Sequence, residues 1–137
     1  MKIALALYGS GEKGKTTTLN LLIDLITSDL TDFSMPVKTE NELQINQRIC
    51  MEFRGLKVGI CTWGDNEEEV NKNCNFFESQ NCNFIITATR SKGGSCKAIN
   101  DYCIEKGFAL QWIPKTVVAE NQYETNLVQA QKLMKYI

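Results

Sequence analysis

The feature that most constrains the fold is a glycine-rich loop between an apolar run and an amphipathic helical pattern. The run "KIALALY" (2–8) is continuously apolar, which is typical of a strand buried on both faces of a parallel sheet. The loop "GSGEKGKT" (9–16) follows at once, and apolar residues then recur at helical spacing from 19 to 26. A buried strand that turns through glycines into a helix predicts an α/β domain, whose ligands bind at the carboxyl ends of the strands.

The loop matches the pattern G-x-x-x-x-G-K-[ST] in full. Its backbone N–H groups would converge at a helix N-terminus, where they suit phosphate oxygens. The Lys15 ammonium would contact the β- and γ-phosphates, and we predict Lys15 to be a catalytic residue. The Thr16 hydroxyl would ligate Mg²⁺. We assign the phosphate site to eight residues: Gly9, Gly11, Glu12, Lys13, Gly14, Lys15, Thr16 and Thr17. An ordinary glycine-rich turn is the alternative.

Downstream of the loop, strand-like and helical patterns alternate. Two strands are predicted within the alternating stretch 48–63 and further strands at 83–89 and 108–113, with helices at 65–80, at 95–106 and over the C-terminal residues. The pair Arg54-Gly55 predicts a hairpin between two antiparallel strands, whereas strand–helix–strand connections make the other strands parallel. We therefore predict one domain, residues 1–137, with helices on both faces of a five-stranded, mostly parallel sheet. The expected strand order is 2-3-1-4-5, with one antiparallel edge strand.

Asp65 is the candidate carboxylate for this site. It lies three residues after Thr62, which closes the strand that we expect beside the glycine-rich loop. Asp65 would serve as a metal ligand or orient an attacking water. The alternative is structural, because Asp65 and Glu68 fit the capping box of the following helix. Ser95 is expected to cap the next helix, which Gly107 would end.

Three further residues follow strand ends and are assigned to nucleotide binding: Arg90, Lys92 and Pro114. A cation in this position can contact phosphate, and a lysine stem can cover the face of a base. For Arg90 and Lys92 the alternative is a pair of solvated loop cations. Trp112 could line a base pocket, but a place in the core is favoured.

Composition excludes several classes of site. The chain has no histidine, so a Ser-His-Asp triad and an imidazole metal site are both ruled out. Its six cysteines form no C-x-x-C pair and are expected to be reduced core residues. With 15 basic and 16 acidic residues, no nucleic-acid partner is indicated. No apolar segment approaches the ~20 residues of a membrane span, and we expect a cytoplasmic protein.

The chain resembles the P-loop NTPase superfamily, with an element order similar to that of the small GTPases. The likeness implies that residues 29–46 form a switch-like loop, in which Thr31 or Thr39 would contact Mg²⁺. The guanine-specific motifs are missing, since "CTWGD" and "TATRSKGG" stand where small GTPases carry D-x-x-G and [NT]-K-x-D. In these two segments the chain looks more like small bacterial ATP-binding P-loop proteins.

The resemblance implies a protein that binds Mg²⁺ and a nucleoside triphosphate, with ATP favoured over GTP. The first functional hypothesis is a slow nucleoside triphosphatase that acts as a switch or accessory subunit for a protein partner. A non-hydrolysing nucleotide-binding module is the second. A small-molecule kinase is the third, disfavoured because the chain has only three arginines and no visible arginine-bearing lid.

Overall fold

The computed structural model of the chain describes residues 1–10, 14–28, 37–38 (backbone only), 46–118 and 120–137. Six strands and four helices alternate along these residues. The strands are β1 (Ile3–Tyr8), β2 (Val37–Lys38), β3 (Arg48–Phe53), β4 (Leu56–Cys61), β5 (Phe84–Thr89) and β6 (Ala109–Pro114). The helices are α1 (Lys15–Ser28), α2 (Glu67–Ser79), α3 (Gly94–Lys106) and α4 (Gln122–Tyr136). None of the helices in these ranges is both long enough and apolar enough to cross a bilayer.

The strands form one mixed sheet in the order β2-β3-β4-β5-β1-β6. The pairs β2–β3 and β3–β4 are antiparallel, and β4–β5, β5–β1 and β1–β6 are parallel. The α/β class is confirmed, but the predicted order is wrong because β5 lies between β4 and β1. All six residues of β5 are buried, which suits the centre of the sheet. The hairpin strand β3 is also not the edge strand, because the two-residue β2 pairs outside it.

Helices cover both faces of the sheet, so the predicted three layers are confirmed. On one face α1 and α4 contribute Leu19, Leu22 and Leu133 to a core shared with Leu5 and Leu7 of β1. On the other face α2 and α3 pack apolar residues against a second core, which contains most of the cysteines. Five free, buried cysteines belong to this second core: Cys50, Cys61, Cys74, Cys82 and Cys103. Burial raises the pKa of the Cys74 and Cys103 thiols to about 12, so they act as core residues.

Two predicted helix caps are wrong, and two predicted turns are confirmed. Asn66, not Asp65, caps α2, because its side chain accepts the Glu69 N–H at 2.8 Å. Ser95 lies inside α3 and accepts the backbone N–H of Arg90 at 3.0 Å instead. The left-handed Gly107 ends α3 as predicted. Arg54-Gly55 turns the β3–β4 hairpin with both residues at positive φ.

The predicted switch-like segment, residues 29–46, lies largely outside the described residues. Thr31 and Thr39 are among the residues not described. Within the segment, the described part includes strand β2, where we had expected a loop without regular structure.

Candidate functional site

The carboxyl ends of the strands meet at one edge of the sheet, where the glycine-rich loop leaves β1. The Gly9 N–H donates to the Thr89 carbonyl at the end of β5 (3.3 Å). On the other side of β1, the Lys115 N–H after β6 donates to the Tyr8 carbonyl (2.8 Å). The ends of β5 and β6 therefore flank the loop directly. The end of β4 lies one strand further away than we expected.

Lys15 is buried at this edge, although it carries a charged side chain. It is 5% exposed, and its Nζ donates to the carbonyl oxygens of Gly9 (2.5 Å) and Thr89 (2.8 Å). Desolvation lowers the pKa of Lys15, and this effect is partly offset by the negative charge of Asp65 and reinforced by Arg90. Among the described residues, no carboxylate lies within 4.0 Å of the Lys15 ammonium. Within the described ranges, Lys15 is thus a buried cation that no carboxylate pairs with directly.

Thr16 connects this edge to the end of β4. Its hydroxyl donates to the Thr62 carbonyl at 2.9 Å, which leaves the lone pairs of the Thr16 oxygen available to a ligand. Thr62 is fixed in turn by Gln47, just before β3. The Thr62 N–H donates to the Gln47 carbonyl (3.0 Å), and the Gln47 N–H donates to the Thr62 hydroxyl (2.8 Å). Thr16 is therefore linked through Thr62 to the segment that enters β3.

Asp65 reaches the site because the chain after β4 turns tightly against β5. Gly64 is required for this turn, since a Cβ at that position would overlap the carbonyl oxygen of Ala88. Asp65 follows Gly64, is exposed and is close enough for its charge to act on Lys15. Because Asn66 caps α2, Asp65 is not needed for the capping role that we considered as its alternative.

A second buried lysine, which the sequence analysis missed, lies on the other side of the loop. Lys115 is 8% exposed, its Nζ donates to the Thr116 carbonyl, and burial lowers its pKa. A Cβ at Gly14, whose φ is +84°, would lie 3.1 Å from the side-chain amide of Asn126. Next to Gly14 is a pocket of about 150 Å³. It is lined by Gly14, Lys115, Thr116, Val117, Val118, Gln122, Thr125 and Asn126.

Comparison with known protein families, with curated proteins and with solved structures returned no match.

The structure describes only some of the residues that were predicted to bind phosphate. Of the predicted phosphate-site residues, Gly9, Gly14, Lys15 and Thr16 lie together at the sheet edge, whereas Gly11, Glu12 and Lys13 lie outside the described residues. Thr17 is exposed on the first turn of α1. Its neighbour Thr18 is buried, and its hydroxyl has no partner among the described residues.

The residues predicted to bind the nucleoside are all exposed, and they lie after two different strands, β5 and β6. Arg90 is exposed, and its charge acts on Lys15, so it belongs to the site. Lys92 is exposed in the loop before α3. Pro114 is exposed, and its carbonyl accepts the side-chain N–H of Gln129 (2.8 Å). Trp112 is 41% exposed and packs edge-on against Tyr8, so the expectation that it lies in the core is wrong.

The residues present fit a divalent cation only in combination with ligand oxygens. No cluster of three acidic or cysteine side chains in the described ranges could hold a metal alone. The Thr16 hydroxyl is oriented by Thr62 with its lone pairs available, and the Asp65 carboxylate lies near Lys15. A hydroxyl, a carboxylate and oxygens from a phosphate ester would together form the oxygen set that Mg²⁺ prefers.

Proposed function

We propose that this chain binds a magnesium–nucleoside triphosphate complex, with ATP as the nucleotide. The observation that carries the proposal is the Lys15 ammonium, which is buried, held only by carbonyl oxygens in the described structure, and located where a strand turns into a helix. Burial of an unpaired cation is costly, and a polyphosphate would supply the missing negative charge. The G-x-x-x-x-G-K-T loop supports the same ligand, because its N–H groups suit phosphate oxygens.

Magnesium would be held by Thr16 and Asp65 together with phosphate oxygens. When bound, it supplies charge neutralisation at the β- and γ-phosphates. Thr16 can serve because its hydroxyl proton is already donated to Thr62. Asp65 would hold or orient a water beside the terminal phosphate, and Lys15 would bind the phosphate itself.

The nucleoside would bind in the pocket next to Gly14. Asn126, Gln122 and Thr125 offer amide and hydroxyl groups that can donate to and accept from a base edge, and the Lys115 stem can cover its face. No carboxylate is among the described residues that line the pocket, so a strong acceptor for the guanine N1 and N2 hydrogens is missing there. This lining supports adenine over guanine.

The link from Thr16 through Thr62 to Gln47 supports a switch rather than a kinase. A ligand on the Thr16 hydroxyl oxygen would alter the hydrogen bond from this hydroxyl to the Thr62 carbonyl. Thr62 is in turn joined to Gln47, just before β3, by two hydrogen bonds, one through its backbone N–H and one through its hydroxyl. We therefore infer a slow nucleoside triphosphatase whose nucleotide state is transmitted towards β3 and a protein partner. A module that binds nucleotide without hydrolysing it is the second candidate, supported by the exposure of Asp65.

Ligand-induced stabilisation tests the binding step. At about a hundred times Kd, Mg·ATP should raise the free energy of unfolding by about 2.7 kcal/mol. Lys15→Met should abolish this gain, while Lys72→Met on the exposed surface of α2 should retain it. Lys115→Met should weaken ATP by roughly tenfold, or about 1.4 kcal/mol. If ATP stabilises none of these proteins, or stabilises Lys15→Met as much as the wild type, the proposal is wrong.

Phosphate release separates the two candidates. With saturating Mg·ATP, the switch hypothesis predicts slow release that is lost in Asp65→Asn, while ATP binding persists. Equal background release from wild type, Lys15→Met and Asp65→Asn, with binding intact in the wild type, would leave the non-hydrolysing module as the function.

A further inference from the structure

Strand β6 lies at the edge of the sheet, and no strand of the described ranges pairs with its outer side. β6 pairs with β1, and four of its six residues are exposed. The Ala109 N–H donates to the Lys2 carbonyl (2.9 Å) and the Lys115 N–H donates to the Tyr8 carbonyl (2.8 Å). Because N–H and C=O groups alternate sides along a strand, odd-numbered residues bond to β1. Even-numbered residues direct theirs to the open edge.

Only the middle of this edge is available for pairing. The Phe108 N–H is used by the Cys103 carbonyl at the end of α3 (2.9 Å). Pro114 has no N–H, and its carbonyl accepts from Gln129 (2.8 Å). Leu110 and Trp112 remain, and their N–H and C=O groups have no backbone partner among the described residues. The open edge therefore presents the four backbone groups of Leu110 and Trp112, with the Phe108 carbonyl beside them.

The strand at this edge is uncharged. Natural proteins usually protect a free edge with charged residues, yet residues 108–114 ("FALQWIP") carry no charge. Of the large hydrophobic side chains that are exposed in the described structure, all except Met1 lie between residues 104 and 136. They are Ile104, Trp112, Val117, Val118, Tyr123, Val128 and Tyr136. They belong to α3, to β6, to the segment that follows β6 and to α4.

We propose that β6 pairs antiparallel with β6 of a second copy of this chain, about a twofold axis at Gln111. In this register Leu110 lies opposite the second copy's Trp112 and Trp112 opposite its Leu110, so the four open groups of each strand bond to each other. A twofold axis at Leu110 would place Trp112 opposite Phe108, whose N–H is already used. An axis at Trp112 would place Leu110 opposite Pro114, which has no N–H. Only the axis at Gln111 therefore pairs both the N–H and the C=O groups of Leu110 and of Trp112.

The helices beside β6 favour a continued sheet over a single added peptide strand. On one face, α3 leads directly into β6 and carries the exposed Ile104. On the other face, Thr116 and Val118 after β6 border an α4 surface that contains Val128 between Glu124 and Lys132. A second copy would bring its own α3 and α4 to these two faces. A lone strand would cover the edge but not the flanking helices.

Sedimentation velocity over a wide range of concentrations tests the dimer. The wild type should sediment as two chains at high concentration. Gln111→Lys places like charges directly opposite each other at the axis and should shift the protein to one chain, whereas the neutral strand former Gln111→Thr should retain the dimer. A wild type that remains a single chain throughout would overturn the proposal, and so would a dimer equally stable in both variants.

Site-specific cross-linking tests the register. In a Cys96→Ser background, which removes the only partly exposed cysteine of the six, Gln111→Cys should form an intermolecular disulfide on mild oxidation. Ala109→Cys has the same orientation on the strand, but its counterpart lies about 13 Å away in this register and should cross-link far more slowly. Equal rates for the two variants, or no cross-link through residue 111, would overturn the pairing.

Discussion

Two buried cations in this protein have equal exposure but opposite surroundings. Arg48 and Lys15 are each 5% exposed. The Arg48 guanidinium donates to the Asn73 side chain (2.8 Å) and to Glu69 (3.3 Å), and it lies over the Trp63 ring at 4.2 Å. Lys15 has only the carbonyl oxygens of Gly9 and Thr89 in the described structure.

The difference separates a charge that the fold itself pairs from one that, in our proposal, binds a ligand. The partners of Arg48 hold one another as well, since the Trp63 indole N–H donates to the same Glu69 oxygen (2.7 Å) and Asn73 donates to the Trp63 carbonyl (2.7 Å). The desolvation of Arg48 is therefore offset within the fold. The desolvation of Lys15 is offset only in part, which suits a residue whose anionic partner is a ligand.

Removing Arg48 should have the largest effect on stability. Arg48→Met leaves Glu69, which is one-quarter exposed, without its cation and should lower the free energy of unfolding by about 3 kcal/mol, the low end for a buried pair. Urea unfolding measures this change. Arg54→Met in the hairpin turn is the matched exposed control and should remain within about 0.5 kcal/mol of wild type. If Arg48→Met lowers the free energy of unfolding no more than the control does, Arg48 is not the structural charge that we describe.

Removing Lys15 should affect ligand affinity and not stability. Lys15→Met replaces an incompletely compensated buried charge with an apolar side chain, so the ligand-free protein should be at least as stable as the wild type. Affinity for Mg·ATP should fall by roughly a hundredfold, or about 3 kcal/mol, because charged hydrogen bonds to phosphate are lost. Urea unfolding and calorimetric titration give the two numbers. A variant that is less stable by several kcal/mol would show that Lys15 is structural like Arg48.

The position of Lys15 at the end of a buried strand could be predicted from the sequence, whereas the partners of Arg48 could not. The loop around Lys15 is a local pattern in which four fixed residues follow an apolar run. The partners of Arg48 are separated from it by 15 residues or more, and no pattern in the sequence links them. Lys115 and Asn126 were missed for the same reason. The only signal was a polar Asn126 on the apolar face of a helical pattern.

Strand order failed for a related reason. The five longer strands were recognised to within about two residues, because burial leaves a local apolar pattern, whereas the two-residue β2 was missed. Neighbour relations depend on how whole layers pack, and β5 took the central position next to β1. The cap of α2 was assigned one residue too early, since Asp65 and Asn66 are both good capping residues and adjacent in sequence. That error mattered, because the correct cap leaves Asp65 available to the site.

Gly64 joins the two regions and should affect both at once. It follows Trp63, which stacks on Arg48, and precedes Asp65, whose charge acts on Lys15. Gly64→Ala would drive a Cβ into the Ala88 carbonyl and should lower the free energy of unfolding by about 2 kcal/mol. Phosphate release should fall as Asp65 is displaced.

Gly93→Ala is the matched control for the release assay, because no atom lies within 4 Å of its added Cβ, although its positive φ adds some strain. Unchanged stability in Gly64→Ala would show that the turn is not tight.

The smallest effect expected is a pH dependence that belongs to Lys15. Desolvation lowers its pKa in the folded protein below the ordinary value of 10.5. Between the folded and unfolded pKa values the unfolded chain binds more protons, so this lysine makes the free energy of unfolding rise with pH across that window. The raised pKa values of Cys74 and Cys103 act in the opposite direction, but they are common to wild type and Lys15→Met. The difference between the two unfolding curves therefore isolates Lys15 and should grow in favour of the wild type towards alkaline pH.

Saturating Mg·ATP should reduce this pH dependence, because a bound polyphosphate favours the charged lysine. Parallel curves without ligand would mean that Lys15 is solvated, and its contrast with Arg48 would then be lost.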